Sequence, residues 1–355
     1  MKIIDLFSVI GGFSLGFQRA GYQFSEHYFS EIDKHAIANY KYNFPHAKYI
    51  GDITTLHGGD FTDIDIITFG SPCQDFSLAG RREGLKGAKS SLIAHAIALI
   101  AQLRPSIFIW ENVKGAFSSN ARADFWAIIQ AFANIGGYRL EWQLLNTSWV
   151  LPQNRERIYL IGHLAGRSIP GVFPIGKDDK LLDRKTRKKG WRGGNLKSSL
   201  ARTITARYSK MGSYDTYIVP KVAATLTGGG HSGGLHSDMT VIQLNPSKES
   251  NGRQPFQQNR VFDERGISPA LTRYNSNYAI SRMRRLTEIE CERLQGFPDN
   301  FTQYGDYNGA IKPIAKTQRY KLIGNAVTVD IVELIAKRLK FIVDEFTPYT
   351  QEKLV

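Results

Sequence analysis

Short apolar runs alternate with longer amphipathic stretches over roughly the first 165 residues of the chain. Pro105 and the pair Gly136-Gly137 follow two of the amphipathic stretches, as expected where helices end. Strands that alternate with helices are typical of parallel βαβ units, so we predict an α/β fold with a doubly wound, Rossmann-like sheet. The buried strands are predicted at residues 64–69, 107–109 and 158–161, and the helices at residues 94–103 and 126–135.

The pattern changes near residue 171, where the periodicity fades and Gly, Ser, Thr and basic residues become frequent. Three short segments in this part are similar, at residues 201–205, 224–227 and 269–272. They indicate either an internal repeat of strand-and-loop units or a coincidence in a Thr-rich β region, and the sequence leaves both open.

A helix predicted at residues 331–343 is rich in Ile, Leu and Val, and we expect it to return to the first domain and close it. The change of pattern therefore predicts two domains and a C-terminal segment that returns to the first domain. The first domain covers residues 1–172, a smaller and mostly β or irregular second domain covers residues 173–316, and residues 317–355 return to the first domain.

Composition excludes several classes of protein. The 355 residues are 42% hydrophobic and 22% charged, which is ordinary for a soluble globular chain. No apolar run is long enough to span a membrane, and the N-terminus lacks the layout of a signal peptide. Two cysteines make no disulfide framework, and no Cys/His spacing predicts a metal site. We expect a cytoplasmic protein that contains no metal.

Positive charge is concentrated in one part of the chain. The net charge is +14, and residues 167–221 hold fourteen Lys or Arg against four Asp, which is +10 of that total. The densest cluster includes Arg184, Lys185 and Lys188. A polyanion such as nucleic acid is the partner that this charge favours, although a solvated basic linker would have the same composition.

Cys73 follows the apolar run at residues 64–69 directly, in the sequence Phe-Gly-Ser-Pro-Cys-Gln. A thiol on a turn at the end of a strand is placed as a nucleophile would be in an open α/β sheet. The alternative is a buried structural cysteine, which is the commonest state of a free thiol.

Four motifs occur in a fixed order around Cys73. They are DLFSVIGGF at residues 5–13, WENV at residues 110–113, QNRER at residues 153–157 and GNAV at residues 324–327. In this order the set resembles the DNA cytosine-5 methyltransferase family of the bacterial or phage type, from Asp5 to about Val329. The resemblance implies a Rossmann-like catalytic domain that uses S-adenosylmethionine, and a smaller target-recognition domain with double-stranded DNA between the two.

The resemblance also implies the roles of the catalytic residues. Cys73 would attack carbon 6 of a flipped-out cytosine, and Glu111 would bind N3 of the ring. Arg157 would hold the carbonyl oxygen of the base, and Arg155 would position Cys73 and a phosphate. Gln74, beside the nucleophile, completes the predicted catalytic set.

The methyl donor would lie at the turn after the first strand. Glu31 would bind the ribose hydroxyls and Asp52 the adenine amine, while Asn325 would reach the methionine end. Val9 departs from the family pattern, which has glycine at that position, and a β-branched residue resists positive φ. The full predicted donor set is Phe7, Ser8, Gly11, Gly12, Glu31, Ile32, Asp52, Ile53, Gly70, Pro72, Asn325 and Ala326.

DNA contacts are predicted in the loop after Cys73, beside the extruded base and in the basic cluster described above. A Gly-rich and basic loop after Cys73 would close over the extruded base. Either Thr225-Leu226 or Ala270-Leu271 would lie beside that base. The predicted DNA-binding residues are Ser77, Arg81, Arg82, Arg184, Lys185, Lys188, Thr225, Leu226 and Arg273.

We expect a monomer that methylates a specific DNA site, in restriction-modification or in the protection of host or phage DNA. The alternative enzyme is a tRNA cytosine-5 methyltransferase, which can share these motifs. A DNA-binding protein with an inactive site is a third possibility, and the complete set of Cys73, Glu111, Arg155 and Arg157 argues against it.

Overall fold

In this computed structural model, the structure describes residues 1–71, 92–115, 123–176, 201–202, 217–218 and 284–342. The helices are α1 (Gly12–Arg19), α2 (Lys34–Asn43), α3 (Leu92–Leu103), α4 (Ala123–Ala133), α5 (Glu288–Leu294), α6 (Lys316–Asn325) and α7 (Val329–Arg338). The longer strands are β1 (Lys2–Leu6), β2 (Glu26–Ser30), β4 (Ile66–Gly70), β5 (Ile107–Val113), β6 (Tyr138–Asn146) and β8 (Glu156–Leu164). The short strands are β3 (Lys48–Tyr49), β7 (Gln153–Asn154), β9 (Ser168–Ile169), β10 (Ala201–Arg202), β11 (Tyr217–Ile218), β12 (Arg284–Arg285), β13 (Tyr304–Tyr307), β14 (Ala310–Pro313) and β15 (Lys340–Phe341).

A seven-stranded sheet in the order β3-β2-β1-β4-β5-β8-β6 forms the centre of the molecule. The five strands from β3 to β5 are parallel, which confirms the predicted α/β fold. Strand β8 is antiparallel to both β5 and β6. The link from β6 to β8 contains a single turn of 3₁₀ helix and the short β7, and it is too short for the crossover that a parallel pair requires.

Apolar cores cover both faces of the sheet. Helices α1 and α7 pack on one face, where Phe17 and Ile335 are fully buried. Helices α3 and α4 pack on the other face, with Ile100 and Phe132 against Trp110. Burial on both faces explains why the parallel strands are continuous apolar runs in the sequence.

Helix α7 packs closely along α1, and the predicted return of residues 317–355 to the first domain stays a prediction. A Cβ atom on Gly16 of α1 would lie 2.5 Å from Cγ1 of Val332 in α7, so only glycine permits this approach. The helix ends at Arg338 rather than at the predicted residue 343, because Leu339 is extended and β15 pairs with β9.

Residues 286–314 also pack on the first domain. Phe297, Phe301 and Ile314 join the core cluster of α2, and the side-chain amide of Asn39 donates to the carbonyls of Phe301 and Tyr304. The sequence places these residues in the second domain, and the boundary of that domain stays a prediction. Within the described ranges, no helix has the length and apolar character needed to cross a membrane.

Candidate active site

A cavity of about 490 Å³ opens at the carboxyl ends of β1, β2, β4 and β5. Ligand sites of open α/β sheets lie at this edge, because the loops that follow parallel strands converge there. The cavity brings together residues from all four sequence motifs. Its lining residues are Phe7, Val9, Ser30, Glu31, Ile32, Asp52, Ile53, Gly70, Ser71, Leu92, Glu111, Asn112, Val113, Arg155, Arg157, Gly324 and Asn325.

The turn between β1 and α1 has an unusual backbone. Phe7, Val9 and Gly11 have φ angles of 50°, 48° and 79°, so two residues with side chains occupy the left-handed region. At Gly11 a Cβ atom would lie 2.9 Å from the ring of Tyr40, which leaves room only for glycine. The predicted departure at Val9 therefore falls on a position that does adopt positive φ.

Glu31 holds this turn in place. Its Oε2 accepts the backbone N–H of Val9 at 2.9 Å, and its Oε1 accepts those of Ile32 and Asp33 at 2.8 and 3.0 Å. The carboxylate thus lies on the cavity wall in a fixed orientation. Beside it the side chain of Ile32 is 73% exposed, which is unusual for a large aliphatic residue.

Asp52 begins the next loop of the wall. Its Oδ1 accepts the backbone N–H of Thr54 at 3.0 Å and caps a 3₁₀ turn at Ile53–Thr55. Ile53 lines the cavity although it is only 4% exposed. The cap fixes the orientation of this carboxylate in the cavity wall, and its predicted contact with the adenine amine stays a prediction.

Glu111 and Arg157 form a buried ion pair inside the cavity. Nε of Arg157 lies 3.1 Å from Oε1 of Glu111, and the two side chains are 15% and 10% exposed. The N–H does not point at Oε1, so the contact is an ion pair rather than a hydrogen bond. Glu111 lies within β5, one of the middle strands of the sheet. The sequence predicts that this strand ends at residue 109, and in the structure it continues to Val113.

Ser71, which the sequence analysis did not single out, is fixed by the same strand. Its Oγ accepts from Nε1 of Trp110 at 3.0 Å and from Nδ2 of Asn112 at 3.2 Å, and Asn112 also donates to its carbonyl. Ser71 stands two residues before Cys73. The Trp-x-Asn spacing around Glu111 was the signal that could have indicated this anchor.

Arg155 is 2% exposed and caps the C-terminal end of α6. Its two terminal nitrogens donate to the carbonyls of Gly324 and Ala326, at 3.2 and 2.9 Å. A cation at this end of a helix balances the partial negative charge of the last carbonyls. Arg155 therefore fixes Asn325 in the cavity wall, a contact that was not predicted.

Four predicted donor residues lie beside the cavity rather than on its lining. Gly12 packs on Val327, where a Cβ atom would lie 2.6 Å from Cγ2 of that residue. The other three are Ser8, Gly11 and Ala326, which are buried. Oγ of Ser8 has no hydrogen-bond partner among the residues that the structure describes.

Several predicted residues fall outside the described ranges, so their placement stays a prediction. They are Pro72, Cys73, Gln74, Ser77, Arg81, Arg82, Arg184, Lys185, Lys188, Thr225, Leu226 and Arg273. In the ranges that are described, no group of His, Cys, Asp and Glu is arranged to hold a metal ion.

Comparison with known proteins decides the family. The family described as C-5 cytosine-specific DNA methylase matches residues 1–341. The chain belongs to this family. Membership confirms the resemblance inferred from the motifs, and it assigns the chain DNA (cytosine-5-)-methyltransferase activity.

Three relatives of the chain come from bacteria and from a phage. The type II methyltransferase M.HaeII of Haemophilus aegyptius is 31% identical, over 94% of this chain and 91% of its own. Type II methyltransferase M.NlaX of Neisseria lactamica is 28% identical, over 96% of both chains. The orphan methyltransferase M.SPRI of Bacillus phage SPR is 26% identical, over 96% of this chain and 97% of its own.

Two solved methyltransferases have the same fold. The Dnmt2 methyltransferase of S. pombe superposes with a TM-score of 0.60 at 18% identity, over 94% of this chain and 96% of its own. A putative DNA modification methyltransferase from an E. coli prophage superposes with a TM-score of 0.54 at 23% identity, over 95% of this chain and 97% of its own. At these identities the likeness concerns the Rossmann-like methyltransferase fold alone.

A buried polar network lies beneath the turn between β1 and α1. The carboxylate of Asp5 accepts hydrogen bonds from the hydroxyls of Thr68 at 3.0 Å and of Ser14 and Tyr40 at 3.2 Å. Nε2 of His27 lies within 2.9 Å of the hydroxyls of Ser14 and Tyr40. Burial raises the pKa of Asp5 from 3.8 to about 7, although these hydroxyls oppose the shift. Burial lowers the pKa of His27 to about 4.

Proposed function

We propose that the chain methylates carbon 5 of a flipped-out cytosine at a specific site in duplex DNA, through a covalent adduct with Cys73. The observation that supports this most directly is the Glu111–Arg157 ion pair in the cavity at the carboxyl end of the sheet. It lies beside Gly70, the last residue of the strand that leads to Cys73.

The catalytic roles follow from the chemistry of the ring. The Cys73 thiolate forms a bond to carbon 6, and the electrons of the 5,6 double bond shift to carbon 5, which becomes nucleophilic. Glu111 binds N3 and the exocyclic amine and favours this shift, while Arg157 binds the carbonyl oxygen. After carbon 5 has gained the methyl group, a base takes the proton from carbon 5 and the bond from carbon 6 to the Cys73 sulfur breaks, which restores the 5,6 double bond and the thiolate.

The cavity residues fit S-adenosylmethionine, which supplies an electrophilic methyl group when it is bound. Glu31 is oriented to accept from ribose hydroxyls, and the exposed side chain of Ile32 offers an apolar surface for adenine. Asp52 lies on the same wall, and Asn325 is fixed at its far end through Arg155. The buried Oγ of Ser8, which lacks a partner in the described structure, is a further polar atom at the turn.

The context we propose is restriction-modification or protection of phage DNA. Support comes from relatives named as type II methyltransferases and from one named as an orphan methyltransferase of a phage. The basic cluster of Arg184, Lys185 and Lys188 would contact the DNA phosphates, with Arg81 and Arg82 near the target. Thr225 and Leu226 would lie beside the extruded base, and Ser77 and Arg273 would contribute further DNA contacts.

Methyl transfer from labelled donor to duplex DNA, with tRNA as the competing substrate, tests the proposal. Wild type should label DNA, and Cys73→Ser should abolish the label while DNA binding survives. DNA that contains 5-fluorocytosine should trap a covalent adduct with wild type and with the matched control Cys291→Ser. Labelling of tRNA in preference to DNA, or an adduct that forms in Cys73→Ser, would contradict the proposal.

A further inference from the structure

A buried cluster of Ser, His and Glu lies outside the cavity, at the other end of the sheet. His163 of β8 is 0% exposed, and its Nε2 lies 2.8 Å from Oε1 of Glu141 on β6. Its Nδ1 lies 2.8 Å from Oγ of Ser168, and that hydroxyl donates to the carbonyl of Lys340 at 3.1 Å. The cluster thus joins β6, β8, β9 and β15.

The cluster does not have the properties of a hydrolytic triad. In such triads the acid binds Nδ1 and the serine binds Nε2, and here the two nitrogens are exchanged. Ser168 is 3% exposed, and its single hydrogen is used by Lys340. The hydroxyl is therefore not free to act as a nucleophile, and His163 links Glu141 to Ser168 within the core.

Glu141 also binds the backbone of residues 171–176, which we name the exit segment because the chain continues from it toward residue 177. Its two carboxylate oxygens accept the N–H groups of Gly171, Val172 and Phe173 at 3.0 to 3.3 Å. Burial alone would raise the pKa of Glu141, but the bonds from His163 and from these N–H groups outweigh it and lower the pKa.

Gln143 extends the attachment along the same strand. Its side-chain amide donates to the carbonyl of Ile175 and accepts from the N–H of Ile175, both at 2.8 Å. Glu141 holds the start of the exit segment and Gln143 holds its end, so the segment runs in the same direction as β6. The far end of β6 pairs with Glu156, next to Arg157 in the cavity. Residues 171–176 therefore run toward the end of the sheet at which the cavity lies.

Two further contacts fix the segment from its other side. Arg338 of α7 donates to the carbonyls of Val172 and Pro174 at 2.8 and 3.0 Å. The side chains of Val172 and Ile175 are 0% and 1% exposed in the core beneath α7. The path of the segment is thus determined by side chains on both β6 and α7.

We propose that Glu141 is a positioning residue that fixes the exit segment and thereby supports DNA binding, without a role in donor binding. This rests on the proposed function, in which residues that follow the exit segment in the sequence contact DNA. Separation from the donor site follows from the sheet register. His163 pairs with Ile107, whereas the cavity begins at Glu111, four residues along β5 and about 13 Å away.

Glu141→Gln and Glu141→Ala test the proposal, with Asp299→Asn, an exposed acidic partner of Arg293, as the matched control. Hydrogen exchange at the amides of residues 171–173 should become faster in the order wild type, Gln, Ala. KM for DNA should rise on the order of tenfold in the alanine variant, because charge-assisted bonds are lost. The Kd for S-adenosylmethionine and kcat at saturating DNA should stay within about twofold of wild type.

Gln143→Ala, which removes the second attachment without removing a charge, should produce the same DNA-selective effect. Equal loss of donor and DNA affinity, or unchanged exchange at residues 171–173, would overturn the proposal. If wild type failed to methylate DNA while the exchange at residues 171–173 still depended on Glu141, the proposed function would fail and the attachment itself would stand.

Discussion

Val9 stands where the first motif predicts a glycine, and its backbone conformation makes that difference testable. A φ of 48° places a β-branched side chain in the left-handed region, at a cost on the order of 1–2 kcal/mol. Val9→Gly removes that strain, but glycine loses more conformational entropy on folding, by roughly 0.5–1 kcal/mol. Part of the side chain also packs on the core beside α2, and that packing is lost. We therefore expect the free energy of unfolding to change by less than about 1 kcal/mol.

Val9→Ala is the matched comparison, since alanine loses the same packing but keeps a Cβ atom in the left-handed region. At ordinary positions alanine is more stable than glycine by roughly 0.5–1 kcal/mol. At residue 9 the order should be inverted, with the glycine variant more stable by about 1 kcal/mol. Urea denaturation of the three proteins measures this difference. A glycine variant that is less stable than the alanine variant would refute the backbone argument.

Donor affinity provides the functional part of the test. The N–H of Val9 bonds to Glu31, and glycine retains that N–H, so the wall of the cavity should keep its shape. The valine side chain lines the cavity, and its removal leaves more room for the donor. Calorimetric titration with S-adenosylmethionine, without DNA, should show binding at least as tight as in wild type. A clear loss of affinity would show that Val9 makes a favourable contact with the donor.

Three further predictions concern the buried network, the catalytic pair and the helix contact. Because the pKa of Asp5 is about 7 in the fold and 3.8 in the unfolded chain, wild type loses stability as pH rises through that window, by up to ~4 kcal/mol. Asp5→Asn cannot ionise, so its free energy of unfolding relative to wild type should increase between pH 4 and pH 8 in urea titrations, and a pH-independent difference would contradict this. Glu111→Gln should reduce single-turnover methyl transfer on the order of 10²–10⁴-fold with donor affinity retained, and near-normal turnover would exclude its role at N3. Gly16→Ala should destabilise the fold by about 1–3 kcal/mol through contact with Val332, and Val332→Ala should restore part of that loss if the contact is the cause.

Local patterns in the sequence predict the parallel half of the sheet well. The apolar run at residues 64–69 corresponds to β4 (Ile66–Gly70), and the residues of the first motif form the strained turn after β1. The end of β5 was missed because Glu111 and Asn112 are polar. They belong to the strand because their backbone pairs with β8, and their side chains find partners in Arg157 and in Ser71, which follows β4. Such partners are distant in sequence and leave no periodic signal.

The sequence alone could not predict the direction of β8 or the attachment of the exit segment, for a related reason. An apolar run at residues 158–161 fits a parallel strand and an antiparallel strand equally, and the short link from β6 decides between them. Glu141 and His163 are 22 residues apart, and Ser168 and Lys340 are 172 residues apart. Only the folded sheet brings these four residues together.

Three charged residues of the cavity share a property that would bear on donor binding there. Glu31 is held by three backbone N–H groups, Asp52 by the N–H of Thr54, and Arg155 by two helix carbonyls. Each is therefore oriented by the protein before any ligand arrives, so little side-chain entropy remains to be lost on binding. A site of this kind obtains selectivity from fixed geometry. Residue 9 tests this reasoning because it lies in the same turn and is held in its strained conformation by the same Glu31 carboxylate.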